Sequence, residues 1–211
     1  MTENTALEKE KKGKFDLKNA ILERLKWLLF ILILGSTSSG LLLGVSYAIP
    51  MDEGGLNLEA RLLILKALDV EFTTETVAQV FDENITIEEI EDLTIYRGLD
   101  DSVAFNFTGR GHQGPISGII SFEPDLKTIR GLVIVEQQET PGLGGRITEE
   151  EFLDQFKGAL FDPKLNILPS GREPSADNEV EGITGATMTS NAFETMLNQS
   201  FQEVIQILEE N

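Results

Sequence analysis

Ile116-Ser117-Gly118-Ile119-Ile120-Ser121-Phe122, Glu123-Pro124-Asp125 and Thr128-Ile129-Arg130-Gly131-Leu132-Val133-Ile134-Val135-Glu136 read as two apolar β-strands around a turn. β-Branched residues dominate both runs, and a Pro-Asp pair between them supplies a turn in which the chain reverses. Upstream, Leu93 to Tyr96 and Val103 to Phe107 alternate apolar and polar residues as half-buried strands do. Together these four runs predict an antiparallel sheet. Helical spacing flanks it. Leu58, Leu62, Leu63, Leu65 and Leu68 place a helix within Leu56 to Val70, and Thr73 or Thr74 is a candidate cap for a second over Thr76 to Phe81. A third is expected over Glu149 to Leu160 after a capping Thr148, and a fourth over Asn191 to Leu208. Pro163 to Asp177 reads as loop. Neither a βαβ rhythm nor an internal repeat is present, so the expected class is α+β: an antiparallel sheet flanked by helices.

Composition excludes several chemistries. The 211 residues include no cysteine, which removes disulfides, thiolate-bound iron–sulfur clusters and cysteine nucleophiles. One histidine, His112, is too few for a histidine-based metal site. It reads as an exposed loop residue, with proton donation as the alternative. Residues 1–26 hold seven basic and five acidic side chains; the remaining chain holds ten basic and 31 acidic, a net of −21. Such a surface repels nucleic acid.

Trp27 to Ile49 is the one long uncharged stretch. As a helix its 23 residues would reach roughly 35 Å, enough to span a bilayer. Lys9, Lys11, Lys12, Lys14, Lys18, Arg24 and Lys26 precede it, and Asp52 and Glu53 follow. The positive-inside rule then keeps residues 1–26 in the cytoplasm and exports the rest. The expected organisation is a basic cytoplasmic tail (1–26), a transmembrane helix (27–49), a juxtamembrane helical segment (50–90) and an extracytoplasmic domain (91–211). A cleaved signal peptide, with Leu28 to Leu34 as its apolar core, is the alternative. Ser36, Gly40 and Gly44 share one helix face, which suits close docking of another membrane helix or is an incidental small-residue patch.

Three stretches carry candidate chemistry. Gly182-Ile183-Thr184-Gly185-Ala186-Thr187-Met188-Thr189-Ser190 is small and hydroxyl-rich and leads into the last helix, so its backbone can approach a phosphate at a helix start. By itself it is equally a turn with Thr189 or Ser190 as cap. Glu139-Thr140-Pro141-Gly142-Leu143-Gly144 follows the last strand and forms a tight loop with exposed backbone donors, suited to the edge or face of a flat ring. Gly109 to Gly118 is a weaker, glycine-rich run.

In this order, with about 45 residues between the first two motifs, these stretches resemble the FMN-binding subunits of the Rnf complex and of the sodium-pumping NADH:quinone oxidoreductase. The likeness runs from Leu93 to Leu208. In that family the last threonine of an S/T-G-A-T motif carries FMN through a phosphoester, which here would be Thr187. The resemblance further implies cofactor contacts from Glu139, Thr140, Pro141, Gly142, Leu143, Gly144, Thr184, Gly185, Ala186, Thr189 and Ser190. Glu181 stands where the family usually has Asp. The compact chain resembles the RnfG branch of the family first, with the NqrC branch, from the quinone reductase, as the alternative. It would relay electrons between a membrane iron–sulfur centre and the FMN of a neighbouring subunit, within an ion-translocating ferredoxin:NAD oxidoreductase. The implied partners are the membrane proteins RnfA, RnfD and RnfE, the peripheral RnfB and RnfC, a flavin transferase for maturation, and the lipid bilayer of a bacterial inner membrane. A tethered binding or anchor domain without flavin is the reading from another class.

Overall fold

A computed structural model describes residues 24–40 and 56–210. The chain divides into two units, Met1–Gly54 and Gly55–Asn211. In the first, residues 24–40 are helical, with apolar side chains from Leu25 to Leu34 more than half exposed. Trp27 meets Phe30 edge-on at 6.0 Å. Among the described residues no helix is long and apolar enough to cross a membrane. Residues 41–49 of the expected span, and the 1–26 tail up to residue 23, lie outside the described residues.

The second unit is built on five antiparallel strands in simple meander order: β1 (Ile85–Ile90), β2 (Leu93–Gly98), β3 (Val103–Arg110), β4 (Pro115–Phe122) and β5 (Ile129–Gln137). The two runs quoted at the outset are its β4 and β5, paired Ile119 to Val133 and Ile120 to Leu132. Alternation sorts the side chains into two cores. On one face Phe105, Phe107, Ile116, Ile120 and Phe122 pack beneath the C-terminal helix α4 (Thr187–Glu210), whose Phe193, Met196, Leu197 and Val204 point inward. On the other, Ala104, Ile119 and Val133 meet helices α1 (Leu58–Ala67) and α2 (Val77–Asn84) through Ile64, Leu65 and Phe81. The hydroxyl of Ser121, fully buried in β4, donates to the carbonyl of Ala67 at the end of α1. This satisfies a polar group that burial would otherwise leave unpaired.

Four local expectations are corrected. The segment expected to be helical as far as residue 90 contains strand β1, and α1 and α2 share the sheet's core. The helix expected over Glu149 to Leu160 stops after one α turn, α3 (Glu150–Leu153), and a 3₁₀ turn, Asp154–Phe156. There the chain leaves the helix because the Gly158 N–H donates to the Ile129 carbonyl, joining the segment to β5. Thr148 does not cap; its hydroxyl donates to the carbonyl of Gly145. The loop from Pro163 contains a strand, β6 (Asn166–Leu168), paired in parallel with β7 (Glu179–Glu181).

Side chains of α4 tie it to β6: Glu194 accepts the Ile167 N–H at 2.7 Å, and Asn198 exchanges two hydrogen bonds with the backbone of Leu165. These contacts fix the height and rotation of the helix that begins at Thr187.

At one end of the sheet Arg130 bridges Asp100 and Glu123. Hydrogen bonds from Ser102, and then from Arg130, hold the Asp100 carboxyl down at about 2. Because the folded value lies below the unfolded one of about 3.9, this group's contribution is present above about pH 4 and is lost as the pH falls toward 2. The carboxylate is 54% exposed, so the contribution is under about 1 kcal/mol. In denaturant melts, Asp100→Asn is therefore slightly less stable than the parent at pH 7, and the gap closes as the pH falls from 4. A gap that widens in acid would contradict the assignment.

Candidate functional site

The site grows from the entry into α4. Ile183 to Ala186 form a four-residue turn closed by the Ala186 N–H on the Ile183 carbonyl at 3.0 Å. Its third residue, Gly185, takes φ +77°, a conformation that a side chain strains. The helix starts immediately afterwards, with the Ser190 N–H donating to the Ala186 carbonyl. The phase of α4 then sorts the hydroxyls. Thr189 and Ser190 lie one turn before the buried Phe193 and are themselves buried, whereas Thr187 and Met188 face out. The Ser190 hydroxyl accepts the Ile183 N–H at 3.2 Å and so braces the turn. Thr187 stands exposed at the first helical position, its hydroxyl without a hydrogen-bond partner among the described residues. This 24-residue helix carries no acidic residue in its own first turn; the carboxylate that approaches that turn is Glu139, through Thr189.

The second motif folds against this turn. The Thr140 carbonyl accepts the N–H groups of Leu143 at 3.1 Å and Gly145 at 3.0 Å, with Pro141 and Gly142 at the bend. This loop carries Leu143, 46% exposed, to the edge of Gly185: a Cβ built on Gly185 would lie 3.3 Å from its methyl carbon. Gly185→Val therefore meets both backbone strain and a neighbour. It should cost about 1–3 kcal/mol in thermal unfolding; no measurable change would contradict the turn.

The structure divides the residues singled out in the sequence into two groups. Thr140, Pro141, Gly142, Leu143, Thr184, Gly185 and Thr187 are exposed around one place on the surface. Glu139, Gly144, Ala186, Thr189 and Ser190 lie beneath it. Glu139 accepts the Gln113 N–H at 2.9 Å and the Thr189 hydroxyl at 2.7 Å. The glycine-rich run thus joins the other two motifs from below, and His112 is exposed beside it. Thr184 shares a 2.5 Å hydrogen bond with Ser170, and Glu181 accepts the Gly171 N–H at 2.6 Å. These contacts wall an open polar groove beside the turn, lined by Arg146, Glu149, Gln155, Ser170, Glu181 and Thr184. Gln113 and Ser170 escape a sequence reading because one acts through its backbone and the other lies in a patternless loop. The burial of Thr189 and Ser190, in contrast, follows from their spacing to Phe193.

Residues 111–202 match the FMN-binding domain family. The matched segment contains all three motifs except the first two residues of the glycine-rich run. Two relatives are NqrC proteins, the C subunits of the Na(+)-translocating NADH-quinone reductase. That of Pasteurella multocida is 33% identical over 109 residues, and that of Yersinia pestis 35% identical over 107. The matches cover 50% and 48% of this chain and 40% of each relative. The chain therefore matches less than half the length of these proteins. The fold is that of crystallised NqrC from Shewanella oneidensis, with a TM-score of 0.63 at 20% identity over 68% of this chain and 90% of the other. The same component from Parabacteroides distasonis gives 0.61 at 22% identity, over 72% and 92%. These relatives are NqrC proteins, which fits the alternative of the sequence reading, the NqrC branch, better than its first reading, RnfG.

Proposed function

We propose that this chain is the FMN-carrying electron-transfer subunit of a membrane oxidoreductase complex of the sodium-pumping NADH:quinone reductase and Rnf type, closer to NqrC. The observation that carries this reading is Thr187: an exposed hydroxyl, unpartnered among the described residues, at the start of a long helix beside the Thr140–Gly145 loop. The surroundings fit FMN. The helix start favours a phosphate's charge, Leu143 and Met188 offer exposed apolar surface for a flat ring, and the Thr140–Gly145 loop borders it. When bound, FMN supplies electron transfer, one or two electrons at a time; the protein supplies position and access.

Threonine is a weak nucleophile, so attachment requires a transferase. Attachment would join the Thr187 hydroxyl oxygen to the FMN phosphorus of FAD, with the pyrophosphate bond broken, AMP as the leaving group and the hydroxyl proton released to solvent. Residues 27–49 anchor the chain in a bacterial inner membrane with the FMN domain outside the cytoplasm, where a covalent tether prevents loss of cofactor by dilution. The charge distribution of residues 1–53 supports this orientation. Partners are the other components of the complex.

The test is coexpression of the full-length chain with a flavin transferase. The expected product is yellow, fluoresces in a denaturing gel, and is bleached and recoloured by reduction and reoxidation. A colourless protein from cells with a working transferase would instead support a tethered domain without redox function.

A further inference from the structure

Glu139 is a carboxylate in an unusual setting. It is 5% exposed, and no salt bridge reaches it among the described residues. A buried charge without a cation is costly unless hydrogen bonds replace its water. Here Oε1 accepts the Gln113 N–H and Oε2 accepts the Thr189 hydroxyl, contacts that span 26 and 50 residues of sequence. The surroundings are cut to fit. A Cβ on Gly111 would lie 2.4 Å from Oε1; one on Gly144 would lie 2.6 Å from Oε2 and 2.4 Å from the Thr189 hydroxyl. One side chain thus holds together the glycine-rich loop, the Thr140–Gly145 loop and the first turn of α4.

We propose that Glu139 is a positioning residue for flavin attachment. It grips Thr189, two residues beyond Thr187, and so locks the helix start in the rotation that turns the Thr187 hydroxyl outward while Leu143 rests at Gly185. The role is geometric and works through Thr189; the carboxylate does not touch the flavin. The inference rests on the reading of Thr187 as the attachment point.

Conservative variants separate the latch from simple damage to the fold. Glu139→Gln can keep both contacts, its oxygen accepting the Gln113 N–H and its amide donating to Thr189, and Thr189→Ser keeps the hydroxyl. Glu139→Ala and Thr189→Val break the link. Two quantities are measured on the full-length chain: the fraction loaded with FMN after coexpression with the transferase, by intact mass, and amide hydrogen exchange of residues 183–190 in the unloaded protein.

Losing one buried charge-assisted hydrogen bond is expected to raise exchange in that segment about tenfold in Glu139→Ala and Thr189→Val. Loading at limiting transferase falls with it, while Glu139→Gln and Thr189→Ser stay near the parent. The double variant Glu139→Ala/Thr189→Val should be little worse than Glu139→Ala alone, because Glu139→Ala already removes the contact that Thr189→Val cuts, along with the one to Gln113. Additive losses, unchanged exchange in Thr189→Val, or a Glu139→Gln as impaired as Glu139→Ala would overturn the latch. If no form of the chain takes up flavin, the Thr187 reading fails, and the exchange pattern alone still supports or overturns the latch.

Discussion

Thr187→Ala should lose covalent FMN completely while the domain keeps its stability. Both halves of this expected result follow from one position. The side chain is exposed and makes no hydrogen bond among the described residues, so truncating it should change unfolding free energy by less than about 0.5 kcal/mol. The hydroxyl is nonetheless the only group of the side chain that can form the phosphoester. Thr195→Ala, an exposed threonine two turns further along α4 whose hydroxyl merely donates to the Asn191 carbonyl, serves as the control and should load normally. In-gel flavin fluorescence with denaturant melts reads both properties. Residual fluorescence in Thr187→Ala would move the attachment to another hydroxyl of the turn, with Thr184 the exposed candidate.

Phe193→Ala should have the largest effect on stability. The ring is fully buried and packs against Phe107 of β3, Phe152 of α3 and Phe156 of the following 3₁₀ turn, at centroid distances of 6.2, 6.2 and 6.0 Å. It therefore joins the sheet, the segment after the Thr140–Gly145 loop and the first two turns of α4. Emptying such a site costs about 3–5 kcal/mol, a large share of the roughly 5–15 kcal/mol that stabilises a typical domain. The denaturation midpoint should drop accordingly, and flavin loading with it, since Thr189 and Ser190 lie one turn away on the same face. A cost below about 1 kcal/mol would mean that α4 is not anchored through this residue.

The central hairpin was legible because β4 and β5 are apolar, β-branched and separated by Glu123-Pro124-Asp125. There the Asp125 carboxylate accepts the N–H groups of Lys127 and Thr128. Strand β1 was not legible. Ile85-Thr86-Ile87-Glu88-Glu89-Ile90 follows α2 without a breaker and is rich in glutamate, a poor strand former. What makes it a strand is its neighbour: Arg97 of β2 forms a two-pronged ion pair with Glu88, at 2.8 and 2.9 Å. Long-range pairing overrode local preference in the same way at Gly158, where hydrogen bonding to Ile129 ends a helix whose spacing had suggested a longer one.

At the site, the motifs marked stretches of chain that the fold brings together, but not which of their residues face out and which bond inward. Thr184, Thr187, Thr189 and Ser190 are equivalent as a string of hydroxyls. Helix phase separates them: Thr189 and Ser190 fall on the Phe193 face and bond inward, Thr187 falls outside it, and Thr184 turns to Ser170. The role of Glu139 needed three dimensions, because its partners are a main-chain N–H and a hydroxyl far apart in sequence.

What Thr187 carries in the cell decides between a redox subunit and a domain without flavin. The most direct measurement is peptide mapping by mass spectrometry of the protein isolated from its native host. The peptide containing Thr187 should bear an increment of FMN less one water, localised to that residue by fragmentation. An unmodified Thr187 peptide from cells in which the redox complex is active would contradict the central claim.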